Sequence, residues 1–133
     1  MIRLVKIING RTNVGEPEKK TVTASETYSY GEALKISSGA LTKCAATDSP
    51  LYISAEDYIA PATGARKISV FPVSSDMIFE TKVTASPSSL KLGDKVTLGT
   101  DAMSVTATTT SGVATIVDFL GATAANDKIL VKF

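Results

Sequence analysis

Histidine and tryptophan are absent from this 133-residue chain, and cysteine occurs once. Without histidine there is neither the usual general base near neutral pH nor the commonest metal ligand, and no Ser-His-Asp or Cys-His arrangement can form. A lone Cys44 excludes an internal disulfide; beside Ala45 and Ala46 it reads as a small buried hydrophobe. No apolar run approaches the roughly 20 residues of a membrane helix. The opening Met1-Ile2-Arg3-Leu4-Val5-Lys6-Ile7-Ile8 lacks the continuous apolar centre and cleavage site of a targeting peptide. Asn-x-Ser/Thr acceptors are also missing. A soluble product of the cytoplasm, with no membrane partner, is expected.

Charge of one sign is equally scarce. Fourteen basic and thirteen acidic side chains leave a net charge of +1, with no tail of either sign. Nucleic-acid binding draws on a concentrated basic face, so no direct nucleic-acid contact is expected. Near-neutrality weakens repulsion between copies and permits dense packing on a surface. Neither a phosphate-binding loop nor a dinucleotide-binding glycine motif occurs. Glu56-Asp57 and Asp48 read as solvated loop carboxylates, and no loop gathers the oxygen ligands that calcium requires. No catalytic, cofactor-binding or metal residue is assigned, no cofactor is implied, and an enzyme is not expected.

What the chain does contain is a pattern that appears twice. Gly31-Glu32-Ala33-Leu34-Lys35-Ile36-Ser37-Ser38-Gly39-Ala40-Leu41-Thr42 recurs 62 residues later as Gly93-Asp94-Lys95-Val96-Thr97-Leu98-Gly99-Thr100-Asp101-Ala102-Met103-Ser104. The matches Leu34/Val96, Ile36/Leu98 and Leu41/Met103 preserve the alternation that one buried sheet face requires. This predicts a repeated β-hairpin, with Gly39 as a turn residue at positive φ, within a single domain over 21–133 whose related halves span 30–84 and 92–133.

Along the chain, residues 2–8 read as a strand ended by Asn9-Gly10. Residues 11–20 are polar with Val14 as the one apolar side chain, so 1–20 is expected to be an N-terminal strand and extended arm held by another chain. Residues 21–30, rich in Thr, Val, Ser and Tyr, should be extended. A turn at 48–50 precedes a short strand, and 54–57 has a weak helix-capping pattern. Residues 67–73 and 77–83 read as a strong hairpin around Ser74-Ser75-Asp76, with Pro72 at an edge or bulge and Phe71 and Phe79 in the core. Further strands are expected at 94–98, 102–107, 113–119 and 128–133, with a brief helix or a loop at 120–127. Many short strands at about ten-residue intervals indicate an all-β fold, a compact barrel or sandwich.

Candidate assembly contacts are the arm residues Arg3, Lys6, Arg11, Val14, Lys19 and Lys20, together with Tyr28 and Tyr30. The two tyrosines share a direction if they lie on one strand, forming either a recognition surface or part of an aromatic core.

The stretch Tyr30-Gly31-Glu32-Ala33-Leu34-Lys35-Ile36 through Leu41-Thr42-Lys43-Cys44 and Leu51-Tyr52-Ile53, echoed from Leu92-Gly93-Asp94-Lys95-Val96 to Val113, resembles the small β-rich decoration, or cement, proteins of tailed-bacteriophage heads. The resemblance spans residues 20–133 as a pattern and includes no catalytic motif. It implies a virion structural protein on the capsid exterior that bridges neighbouring subunits of the major capsid protein. It also implies self-association, with clustering around three-fold positions and a trimer as the corresponding form. A phage tail or neck component and a carbohydrate-binding module are the competing classes, the latter raised by an exposed Tyr28, Tyr30 or Tyr52.

Overall fold

The computed structural model describes residues 1–8 and 16–133. It is all-β, with thirteen short strands: β1 (Arg3–Ile7), β2 (Glu18–Lys20), β3 (Thr27–Tyr28), β4 (Ala33–Ser37), β5 (Ala40–Lys43), β6 (Tyr52–Ser54), β7 (Tyr58–Ile59), β8 (Ile68–Pro72), β9 (Met77–Val83), β10 (Lys95–Val96), β11 (Ser104–Val105), β12 (Ala114–Asp118) and β13 (Lys128–Lys132). A five-stranded sheet runs β2-β8-β6-β4-β5, a six-stranded sheet runs β1-β9-β13-β12-β10 with β11 on β9, and β3 pairs with β7 in a separate ribbon. All ladders are antiparallel except β11 on β9. Neither large sheet closes into a barrel: isolated bridges, Val22 to Leu41 and Leu98 to Val105, curl their ends without a continuous ladder.

The two sheets follow the same strand order. In the first, β8 separates β2 from β6, and β6 leads to β4; in the second, β13 separates β9 from β12, and β12 leads to β10. Individual backbone bonds also recur at the 62-residue spacing. Gly31 N donates to Ser54 O, and Gly93 N to Ile116 O, both at 2.9 Å. Ser54 N donates to Glu32 O as Ile116 N does to Asp94 O, and Leu51 N to Leu34 O as Val113 N does to Val96 O.

The acidic residue after each glycine has a physical role. Residues 29–32 and 91–94 form tight turns whose third residue, Gly31 or Gly93, has φ of 81° or 89°, as a type II turn requires. Glu32 Oε2 accepts the N–H of Ser29 at 3.0 Å, and Asp94 Oδ2 accepts that of Lys91 at 2.8 Å. Each carboxylate thus satisfies an amide that would otherwise lack a partner at the strand entrance.

Alternation along β4 divides its side chains between two cores. Leu34 joins Val22, Tyr28, Leu41, Ile68 and Val70 beneath the five-stranded sheet. Ala33, with Cys44 and Ile53, faces the other way and belongs to the cluster built on Phe79, Val96, Leu98, Val105, Ile116 and Ile129 of the six-stranded sheet. Ala33 N also donates to Ala102 O at 2.7 Å, and Leu98 N to Ala46 O at 2.9 Å, joining the two regions through backbone.

Several expectations are corrected. Residues 67–73 and 77–83 do not form a hairpin: β8 and β9 enter different sheets. Met77, Ile78 and Phe79 are all buried, and β9 takes β1 and β13 as its antiparallel neighbours. Part of the proposed arm is a strand, since β2 pairs with residues 68–70 of β8, while the 11–15 portion lies outside the described residues. Pro72 ends β8 beyond that ladder, where no partner on the β2 side needs its missing N–H. Residues 54–57 form no helical turn; Ser54 closes β6 and its hydroxyl donates to Glu56 O. Of the two forms expected for residues 120–127, the loop is the one that forms.

The first predicted hairpin forms, with Ser38 and Gly39 at φ of 49° and 83°, the pair of positive angles needed by a type I′ turn. Its second copy is looser. Ile36 opposes Leu41, but Leu98, the equivalent of Ile36, opposes Val105 instead of Met103, a slip of two residues that keeps each side chain on its face.

Candidate functional site

Carboxylates are the obvious source of chemistry in a chain without histidine, and most are committed to the backbone. Among the described residues, at least nine of the thirteen accept a main-chain N–H: Glu26, Glu32, Asp48, Glu56, Asp57, Asp94, Asp101, Asp118 and Asp127. The Arg66 guanidinium and the Ser69 N–H hold Glu56 down at about 2. Lys35 and the Ala45 N–H lower Asp48. A carboxylate fixed in this way staples a loop. Among the described residues, no group of three or more His, Cys, Asp or Glu side chains could hold a metal ion. Cys44 is buried, and desolvation pushes its thiol up to about 12.

The candidate assembly residues are scattered. Arg3 Nη2 lies 3.0 Å from Glu80 Oε1, and Lys6 is exposed on β1. Lys19 donates to Ser69 Oγ at 2.7 Å and lies 3.7 Å from Glu56. Lys20 pairs with Glu18 and sits over the Tyr52 ring. Arg11 and Val14 lie outside the described residues. The tyrosines separate because β3 ends at Tyr28. Tyr28 is 1% exposed and donates its hydroxyl to Leu41 O, so it offers no surface. Tyr30 is half-exposed on the turn, where Leu92 is its exposed counterpart.

Tyr30 borders an apolar cavity of about 160 Å³ between the two regions, lined also by Ile2, Leu4, Ile53, Phe71 and Met77. This is well below the several hundred cubic ångströms of an ordinary small-molecule pocket. A second concavity, of about 250 Å³, is bounded by Met1, Arg3, Glu80, Thr81, Lys82 and Lys128. Nothing in the local sequence of Glu80, Lys82 or Lys128 marks these residues as a group. Register across β1, β9 and β13 brings them together.

Neither a scan against protein-family models nor a search of curated proteins finds a match for this chain.

Proposed function

We propose that the chain is a non-enzymatic structural protein that decorates the exterior of a bacteriophage capsid and braces neighbouring major-capsid subunits. The observation that carries this reading is the double use of one stapled turn. The residues on which the resemblance rests, Gly31-Glu32 and Gly93-Asp94, build the same hydrogen-bonded entrance to a sheet twice. In this reading the chain is a duplication of one β-unit, its copies carried by β2 to β8 and by β9 to β13 instead of by 30–84 and 92–133, because β9 ladders with β13. Tyr30 and Leu92, exposed at matching positions, give each unit an apolar contact for a partner. Loops pinned by carboxylates lose little freedom on binding, which suits a brace.

A ligand that binds the assembled lattice but not dispersed subunits stabilises the lattice by linkage, and repeated weak contacts become effective through multivalency. Capsids from one preparation should resist heat or low-salt disruption better with the protein than without it, and the protein should attach saturably to their exterior. Unchanged disruption with no saturable attachment would reject the reading. Ring formation by the free protein would then favour a tail or neck component, and retention on a polysaccharide a carbohydrate-binding module.

A further inference from the structure

Three cationic side chains, Arg3, Lys82 and Lys128, converge around Glu80 on one open face of the six-stranded sheet; the Met1 ammonium also borders this place and interacts with both Lys82 and Asp101. Arg3 opposes Glu80 across β1 and β9, and Lys82 opposes Lys128 across β9 and β13. Glu80 and Lys82 lie two apart on β9, so all four side chains share one face. Arg3 and Lys128 both reach Oε1 of Glu80, at 3.0 and 2.9 Å. Lys82 is exposed and has no ion-pair partner among the described residues.

Like charges directly opposed on neighbouring strands destabilise the pair. The sheet nonetheless holds Lys82 against Lys128, leaving three cationic side chains around the one carboxylate of Glu80, an imbalance that an anion would relieve. The 250 Å³ concavity opens at this place. We propose that it binds an oxyanion, a carboxylate or phosphate group, through Arg3, Lys82 and Lys128. Arg3 keeps donors beyond the one given to Glu80, and each lysine ammonium has three. The inference stands on sheet register and charge, independently of the capsid reading.

Inorganic phosphate and a hexaglutamate peptide, titrated separately at low salt and followed by amide NMR, distinguish a free oxyanion from protein-borne carboxylates. Saturable shifts confined to the amides of Arg3, Thr81, Lys82 and Lys128 are expected with at least one probe, and should weaken as salt is added. The K82Q/K128Q double variant should bind about tenfold more weakly or worse, because charge-assisted hydrogen bonds are lost. Both positions are exposed, and relief of the like-charge pair offsets the loss of the exposed Lys128–Glu80 ion pair, so its melting temperature should stay close to that of the parent. Tighter binding of phosphate assigns the site to a small oxyanion, and tighter binding of the peptide to an acidic protein surface. Absence of saturable shifts with both probes, or undiminished binding by the double variant, would overturn the proposal.

Discussion

The turn at residues 29–32 and the turn at 91–94 share their glycine, their backbone bonds and their carboxylate staple, but their surroundings differ. Ile2 N donates to Gly31 O at 2.9 Å, and Gly31 and Glu32 of the first turn are buried while Tyr30 stays half-exposed. Gly93 is exposed. The hairpin tips are reversed in the same sense. Ser38 and Gly39 project into solvent, whereas Ala102, at the second tip, is 0% exposed and accepts the N–H of Ala33. The second hairpin is therefore pressed onto the first region, and its four-residue tip, stapled by Asp101 to Met103 and Ser104, accompanies the two-residue slip in register. Side chains follow the same asymmetry. Ala33, Cys44 and Ile53 face the other region; their counterparts at the 62-residue spacing are Lys95, Thr106 and Thr115. One backbone plan thus serves an inner and an outer position, and polar residues finish the outer face, as in the capping units of repeat proteins.

The largest expected effect comes from exchanging those faces. Ala33→Lys places a charge in the contact between regions and should cost more than ~3 kcal/mol in urea unfolding. Lys95→Ala, at the exposed counterpart, should stay within ~0.5 kcal/mol. Similar losses at both sites would show that the faces are not in inner and outer positions.

Leu98 and Ile36 hold the same place in the repeat but are 0% and 39% exposed. Leu98→Ala should cost about 3 kcal/mol through the cavity it leaves, and Ile36→Ala less than ~1 kcal/mol. The same denaturation series reads both, and a reversed order would contradict the packing of the second hairpin against the first region.

The glycines refine the comparison further. Alanine at either position must adopt positive φ, costing about 1 kcal/mol. At Gly31 the new Cβ would also lie 2.3 Å from Met1 Cγ and 3.2 Å from the Ile2 backbone, whereas at Gly93 it meets nothing within 4 Å. Gly31→Ala should therefore cost about 2–3 kcal/mol and Gly93→Ala about 1 kcal/mol. Equal melting temperatures for the two variants would remove the opening strand as the cause of the difference.

The smallest effect concerns pH. Arg66 and the Ser69 N–H hold Glu56 at about 2, below the ordinary 4.5. A depressed carboxyl contributes stability that is fully present above its unfolded value and lost as pH falls through its folded value. Stability should decline between about pH 4.5 and pH 2. Glu56→Gln should flatten part of that decline, leaving the share of other lowered carboxyls such as Asp48 and Asp127.

Local features of the sequence were enough to specify the strands and turns that depend on neighbouring residues. Alternation marked the hairpin at 33–43 because opposite faces demand it, and Gly39 marked its turn because few residues accept positive φ. The spacing of Gly31-Glu32 and Gly93-Asp94 likewise predicted a repeat, since each turn completes its hydrogen bonds within four residues. The choice of strand partners had no such local signature. Residues 67–73 and 77–83, three residues apart, looked like a hairpin, yet burial of three consecutive residues at the start of β9 drew that strand into the other sheet. Residues 18–20 became a strand only because β8 presented an open edge, and Tyr28 and Tyr30 parted because one entered a core and the other a turn. The cluster of Arg3, Glu80, Lys82 and Lys128 exists through register alone. Pairing joins residues distant along the chain, so its energy depends on which edges remain free once the cores have formed, a quantity that only the tertiary structure decides.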